Sequence, residues 1–204
     1  MKKLLILALT AVMVLAFSAA VSAATVSLDY ILGTYDANGW GTSGDAPTTS
    51  ISLDLPFDNF KIALEYGTGT WQDGTDYDFD YTEVKFGYRI ISADLYNLYI
   101  TLIYNSYNVE WNDYNYFYGY SIGIDYDYAI SDNSSFNATV DYSLSGQDDA
   151  DYDAVLILLK LKYSYYFTDN VGMEIGYYYS NVYWDATDND WTFSGFSLGV
   201  SFKF

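Results

Sequence analysis

Two aspartates two residues apart, Asp125 and Asp127, come closest in this 204-residue sequence to a catalytic pair. Neighbouring carboxylates can divide acid and base roles between them. The run Tyr116 to Ile130 alternates apolar and polar residues, however, and alternate positions on a strand share a face. Two acids at 125 and 127 are therefore also what two successive positions on one charged face would give. Three stretches gather oxygen donors of the kind that hold calcium: Asp76 to Asp80, Asp149 to Asp153, and Asp185 to Asp190. Asp149, Asp151 and Asp153 are the weak calcium candidates among them. All three stretches lack the glycine and distal glutamate of a helix-loop-helix calcium site, so solvated acidic loops are the preferred reading and no metal or cofactor is assigned. Histidine is absent, which removes the commonest general base and the commonest metal ligand. No glycine-rich phosphate loop or nucleophile motif is present either, and the chain is read as non-enzymatic.

Met1 to Ala23 has the three parts of a cleaved secretory signal. Lys2 and Lys3 form a basic start, Leu4 to Phe17 an apolar run, and Val21-Ser22-Ala23 a small-residue cleavage site. The expected organisation is a signal peptide over residues 1–23 and a single domain over 24–204. Loss of Lys2 and Lys3 lowers the basic count from 8 to six and moves the formal charge from −19 to −21. Six basic residues against 27 acidic ones leave no basic footprint for nucleic acid. The absence of cysteine rules out disulfide stapling of an exported chain.

The elements that carry these charges are strands. Twenty-five tyrosines and only two prolines favour pleated structure, and ten alternating segments follow in order: 25–35, 48–55, 60–71, 77–90, 96–104, 116–130, 135–145, 153–167, 171–179, and 191–204. A register slip is expected near Tyr81, where a bulge would fit. Short turns (56–59, 91–94, 131–134, 168–170) alternate with longer loops (36–47, 72–76, 109–115, 146–152, 184–190), most of them richer in aspartate. An even strand count with short turns at one end and long polar loops at the other is the plan of an outer-membrane barrel. The expected fold is thus all-β, a transmembrane up-and-down antiparallel barrel of about ten strands, with acidic loops facing outward.

Parity places one face of every segment in an apolar band of leucine, isoleucine, phenylalanine and tyrosine. The opposite, lumenal face carries Asp29, Asp54, Glu65, Glu83, Asp125, Asp127, Asp141 and Glu174 against Lys61, Lys85, Arg89, Lys160, Lys162 and Lys203. Near balance between these charges fits an ion-paired lumen, with Asp29 and Asp54 as the expected partners of Lys203. A soluble fold would have to enclose the entire aromatic band. Tyrosines at the ends of the apolar runs, such as Tyr96 and Tyr104 or Tyr118 and Tyr128, lie where an interfacial aromatic girdle belongs.

The signal Met1 to Ala23, the ten amphipathic segments and the ending Val200-Ser201-Phe202-Lys203-Phe204 resemble the small outer-membrane β-barrel proteins of Gram-negative type. That resemblance implies location in the outer membrane and lipid as the surrounding partner. It also implies that Val200, Phe202 and Phe204 form part of the signal read by the barrel-insertion machinery. Enzymes of similar architecture, the omptin-like proteases and the barrel lipid-A deacylases and phospholipases, rely on a histidine that this chain lacks. Three functions stay open: a structural or surface-interaction barrel with an ion-paired lumen, a narrow porin-like channel for small cationic solutes, and, last, an outer-membrane enzyme. Oligomeric state is open too, and the tyrosine-rich exterior could support packing between barrels.

Overall fold

The computed structural model describes residues 24–38, 42–72, 76–109, 114–148, 151–184 and 189–204, and every regular element among them is a strand. In chain order these are β1 (Thr25–Asn38), β2 (Thr42–Asp45), β3 (Thr48–Phe57), β4 (Phe60–Gln72), β5 (Asp76–Ser92), β6 (Tyr96–Val109), β7 (Tyr114–Ser131), β8 (Ser134–Gln147), β9 (Ala154–Tyr166), β10 (Val171–Trp184) and β11 (Asn189–Lys203). Each pairs antiparallel with its neighbours around the ring, and β11 returns to pair with β1, so the sheet closes on itself. Closure removes the unpaired edges that an open sheet would present to other chains.

Eleven strands fill ten places in the ring, because β2 and β3 lie end to end between β1 and β4 and pair with both. The stave breaks at Ala46-Pro47, where proline has no N–H to give. The break is tied at both sides: Ala46 N–H donates to Gly33 O at 2.7 Å, and Pro47 O accepts from Thr70 N–H at 3.3 Å. Residues 36–47, expected as a loop, thus contribute the end of β1 and all of β2. The expected signal segment, residues 1–23, lies outside the described residues.

The seam between β1 and β11 runs in unbroken register from Thr25 opposite Lys203, through Gly33 opposite Gly195, to Asn38 opposite Asp190. Phe204 N–H donates to Ala24 O at 2.9 Å and Lys203 N–H to Asn170 O at 2.9 Å, locking the short-turn end. The bulge expected near Tyr81 is elsewhere. β5 keeps register with β4 from Asp76 to Tyr88, and its shift against β6 falls between Arg89 and Ile91. Phe79 and Tyr81 are buried inside the barrel. The alternation of apolar and polar residues changes sense there while the backbone does not slip.

On the outer face, Leu32, Ile100, Ile124, Val140, Leu144, Ile175 and Leu198 are all exposed, and Phe196 at the middle of β11 is 70% exposed. An apolar band of this extent around a closed sheet is the lipid-facing belt of a membrane barrel. A charge placed in it has to be dragged into hydrocarbon. Phe196→Arg is therefore expected to cost about 2–4 kcal/mol when the barrel is unfolded from lipid vesicles; a cost near zero would mean that this wall meets water.

Candidate functional site in the barrel lumen

The inner face is built in two tiers. Toward the long-loop end, aromatic and aliphatic side chains from all around the ring meet across the bore. Tyr35 (β1), Trp71 (β4), Phe79 and Tyr81 (β5), Tyr107 (β6), Phe117 (β7), Leu156 and Leu158 (β9), Tyr178 (β10), and Trp191 and Phe193 (β11) belong to one buried cluster. Trp71 meets Tyr35 edge-on with ring centroids 4.0 Å apart and reaches Trp191 at 6.0 Å. Tyr178 lies 5.4 Å from Phe193, and Tyr81 stacks on Tyr107 at 5.7 Å. Such offset and edge-on contacts are the favoured geometries for aromatic rings. The bore is narrow enough for this only because glycines clear the wall. A Cβ at Gly67 would run into the ring of Tyr81, and one at Gly33 into that of Phe193.

Below this tier lies a layer of ion pairs. Lys160 Nζ donates to Glu65 Oε2 and Glu83 Oε2, both at 2.8 Å. Lys85 bonds Asp125 at 3.0 Å and lies 3.7 Å from Glu83. Lys61 reaches Asp125 and Asp127 at 3.5 Å and Asp54 at 3.7 Å. Three lysines and five carboxylates are thereby joined in one chain across β3, β4, β5, β7 and β9. Separately, Lys162 bridges Asp29 at 3.0 Å and Glu174 at 2.9 Å, tying β9 to β1 and β10. The tiers are stitched together where Tyr81 OH donates to Glu65 Oε1 at 2.6 Å and where Lys160 lies 5.0 Å from the Tyr178 ring centre. Hydrogen bonds to ionised partners at these distances are among the strong ones.

Eleven of the fourteen charged positions assigned to the lumen from sequence thus sit in ion pairs. The other three behave differently. Arg89 donates to Asn59 Oδ1 at 3.0 Å, near the short turns. Asp141 is 1% exposed, and neither of its carboxylate oxygens has a hydrogen-bond partner. Lys203 was expected to pair with Asp29 or Asp54, but those are held by Lys162 and Lys61. Its ammonium instead lies 3.5 Å from the centre of the Tyr166 ring, a cation–π contact.

The catalytic reading of Asp125 and Asp127 finds no support in this arrangement, since both carboxylates are engaged by Lys61 and Asp125 also accepts from Thr139 Oγ1 at 2.7 Å. Of the calcium candidates, Asp149 lies outside the described residues, while Asp151 and Asp153 are exposed. Asp78 and Asp80 accept from Thr70 and Asn108, and Asp190 from Asn38 and Asn181. No group of three acids is arranged to hold a metal among the described residues.

The aromatic tier is what sequence reasoning missed. Its signal is the unbroken apolar run Val155-Leu156-Ile157-Leu158-Leu159, apolar on both faces, of which Leu156 and Leu158 are buried in the bore while Ile157 is exposed on the outer wall. Beneath the tier remains a cavity of about 270 Å³. It runs from Glu83, Lys85 and Tyr178 at its roof to Thr25, Pro56, Ser135 and Lys203 beside the short turns.

A closed antiparallel ring, an apolar outer belt and a charged inner face define a β-barrel of the small outer-membrane type. No protein-family model matches the sequence, and no curated protein does. Among solved structures, the fold is similar to the outer membrane protease OmpT from Escherichia coli, with a TM-score of 0.55 at 11% identity over 89% of this chain and 96% of that one. It is also similar to an outer membrane channel from Pseudomonas putida F1, with a TM-score of 0.51 at 9% identity over 90% and 95% of the two chains. At such identities the likeness is one of fold.

Proposed function

We propose that this chain is an integral outer-membrane barrel with a closed lumen, serving as a structural or surface-interaction protein and neither conducting solutes nor catalysing a reaction. The observation that carries this reading is the aromatic tier, which fills the bore above a layer of ion pairs. Barrels of about eight strands are just filled by their own side chains and those of 16–18 leave a channel, so a ring of ten places lies near the closed end. One structure of similar fold is a protease and another a channel. The protease reading is disfavoured by the absence of histidine. The channel reading draws on the acidic residues of the long-loop end, which would favour cations at a mouth. In this proposal residues 1–23 direct export and are removed, the acidic loops face outward, and Val200, Phe202 and Phe204 are read by the insertion machinery.

Reconstituted in a planar bilayer, the barrel is expected to show no steady conductance above the lipid background. Steady cation-selective openings would overturn the closed-lumen reading and favour the pore.

A further inference from the structure

We propose that the cavity below the aromatic tier is a binding site for a small organic cation bearing a primary ammonium group, entered from the short-turn end. The inference builds on the closed-lumen reading, which makes this cavity a blind vestibule. Its lining carries an excess of negative charge. Seven lining carboxylates, Asp29, Asp54, Glu65, Glu83, Asp125, Asp127 and Glu174, share four lysines, and Lys203 is turned onto Tyr166. Asp141, buried with both oxygens unpartnered, adds an eighth carboxylate. It stands on the inner face of β8 two residues beyond Thr139, whose hydroxyl bonds Asp125. A buried layer with more carboxylates than ammonium groups must either take up protons or gain another positive charge, because uncompensated charge away from water is strongly disfavoured, and a bound ammonium meets that need.

That charge is incompletely met at Asp29 and at the mouth of the cavity. Asp29 is buried and lines the cavity; Lys162 holds its Oδ2, while Oδ1 has no partner. At the mouth, Asp54 on β3 and Asp127 on β7 have side chains 41% and 35% exposed and share a single ammonium, that of Lys61, at 3.7 and 3.5 Å, although Asp127 Oδ1 also accepts from the neutral amide of Asn137. Both lysine contacts are longer than the 2.7–2.9 Å of a well-made charged hydrogen bond. An ammonium has three donors and no acceptor, which suits a wall of carboxylates and no anion. The ring of Tyr99 also lines the cavity, with Lys61 Nζ 5.7 Å over its centre. The cavity is near the lower limit for small-molecule pockets, roughly 300 Å³, so the ligand class is a short aliphatic amine.

The test is isothermal titration of the full refolded barrel in detergent with 1,4-diaminobutane, in a potassium background that screens the acidic loops. The expected result is saturable binding that Asp54→Asn with Asp127→Asn weakens at least tenfold, while the heat-dependent gel shift of the folded barrel is kept. A variant that loses this gel shift is replaced by Asp127→Asn alone, for which a several-fold loss is expected. Absence of saturable heat at millimolar amine overturns the proposal, as does binding that these substitutions leave unchanged, which would place the amine on the loops. Conductance separates the two readings: a silent barrel that takes up no amine overturns this inference alone, and a conducting one that binds it overturns only the closed lumen.

Discussion

Lys160→Met is expected to destabilise the barrel by about 3–5 kcal/mol, the cost of stripping one partner from a buried ion pair. Lys160 is the sole ammonium within 2.8 Å of both Glu65 and Glu83, and it arrives from β9 to meet carboxylates on β4 and β5. Its removal leaves two largely buried carboxylates facing each other without the ammonium that joins them. Methionine keeps most of the aliphatic stem, so the loss reports on charge rather than on volume. Denaturant unfolding from lipid vesicles gives the number. Adding Glu65→Gln and Glu83→Gln to Lys160→Met should recover much of it, because the neutral trio needs only hydrogen bonds. A loss below 1 kcal/mol for Lys160→Met would mean that this layer is hydrated enough to tolerate open charge, and the ionic tier would then seal nothing.

Phe193→Ala is expected to cost a similar amount, about 3–5 kcal/mol, for a different reason: a cavity in close-packed aromatic surroundings. Phe193 packs against Phe79 at 6.1 Å, Tyr178 at 5.4 Å and Trp191 at 6.3 Å, and its ring occupies the hollow over Gly33. Its neighbours come from three strands fixed by the barrel ladder, so the hole has little freedom to collapse. Unfolding from vesicles again measures the loss. Joined to Trp71→Ala, it should also turn a silent barrel into one with measurable, unsteady leak current. If Phe193→Ala proves nearly neutral, the tier is loosely filled and the closed-lumen reading fails with it.

The barrel was legible because a period of two is the strongest signal a strand can write, and β1, β6, β7, β8 and β11 write it plainly. What parity does not tell is how one strand's rows meet the next. On β9, where Val155 and Leu156 are both apolar, alternation names two faces without ranking them. Only the ring, by turning Leu156 and Leu158 inward beside Phe117 and Tyr178, reveals a filled bore. The misassigned partners of Lys203 have the same origin. Lys203 stands opposite Thr25, four residues from Asp29, or about 13 Å at the rise of a strand. Asp54 shares the row of Thr25 from the far side, but Lys61 reaches it. β2 escaped notice because Thr42-Ser43-Gly44-Asp45 carries no apolar alternation at all; its strand form is imposed by β1 and β4.

The seam between β1 and β11 has a kinetic side. Every other ladder in the ring joins strands at most two places apart in chain order, so most of the sheet can grow by adding hairpins. This one ladder carries the long-range contact order of the whole molecule, and closing the largest loop is its entropic burden. Until it forms, the sheet is an open ribbon with two sticky borders, one rich in Leu28, Tyr30 and Leu32, the other in Phe196, Leu198 and Val200. Such borders pair as readily with a second unfinished chain as with each other. Once the fourteen-residue ladder is shut, unfolding must unzip it or rupture an equivalent one, which makes the finished barrel slow to come apart.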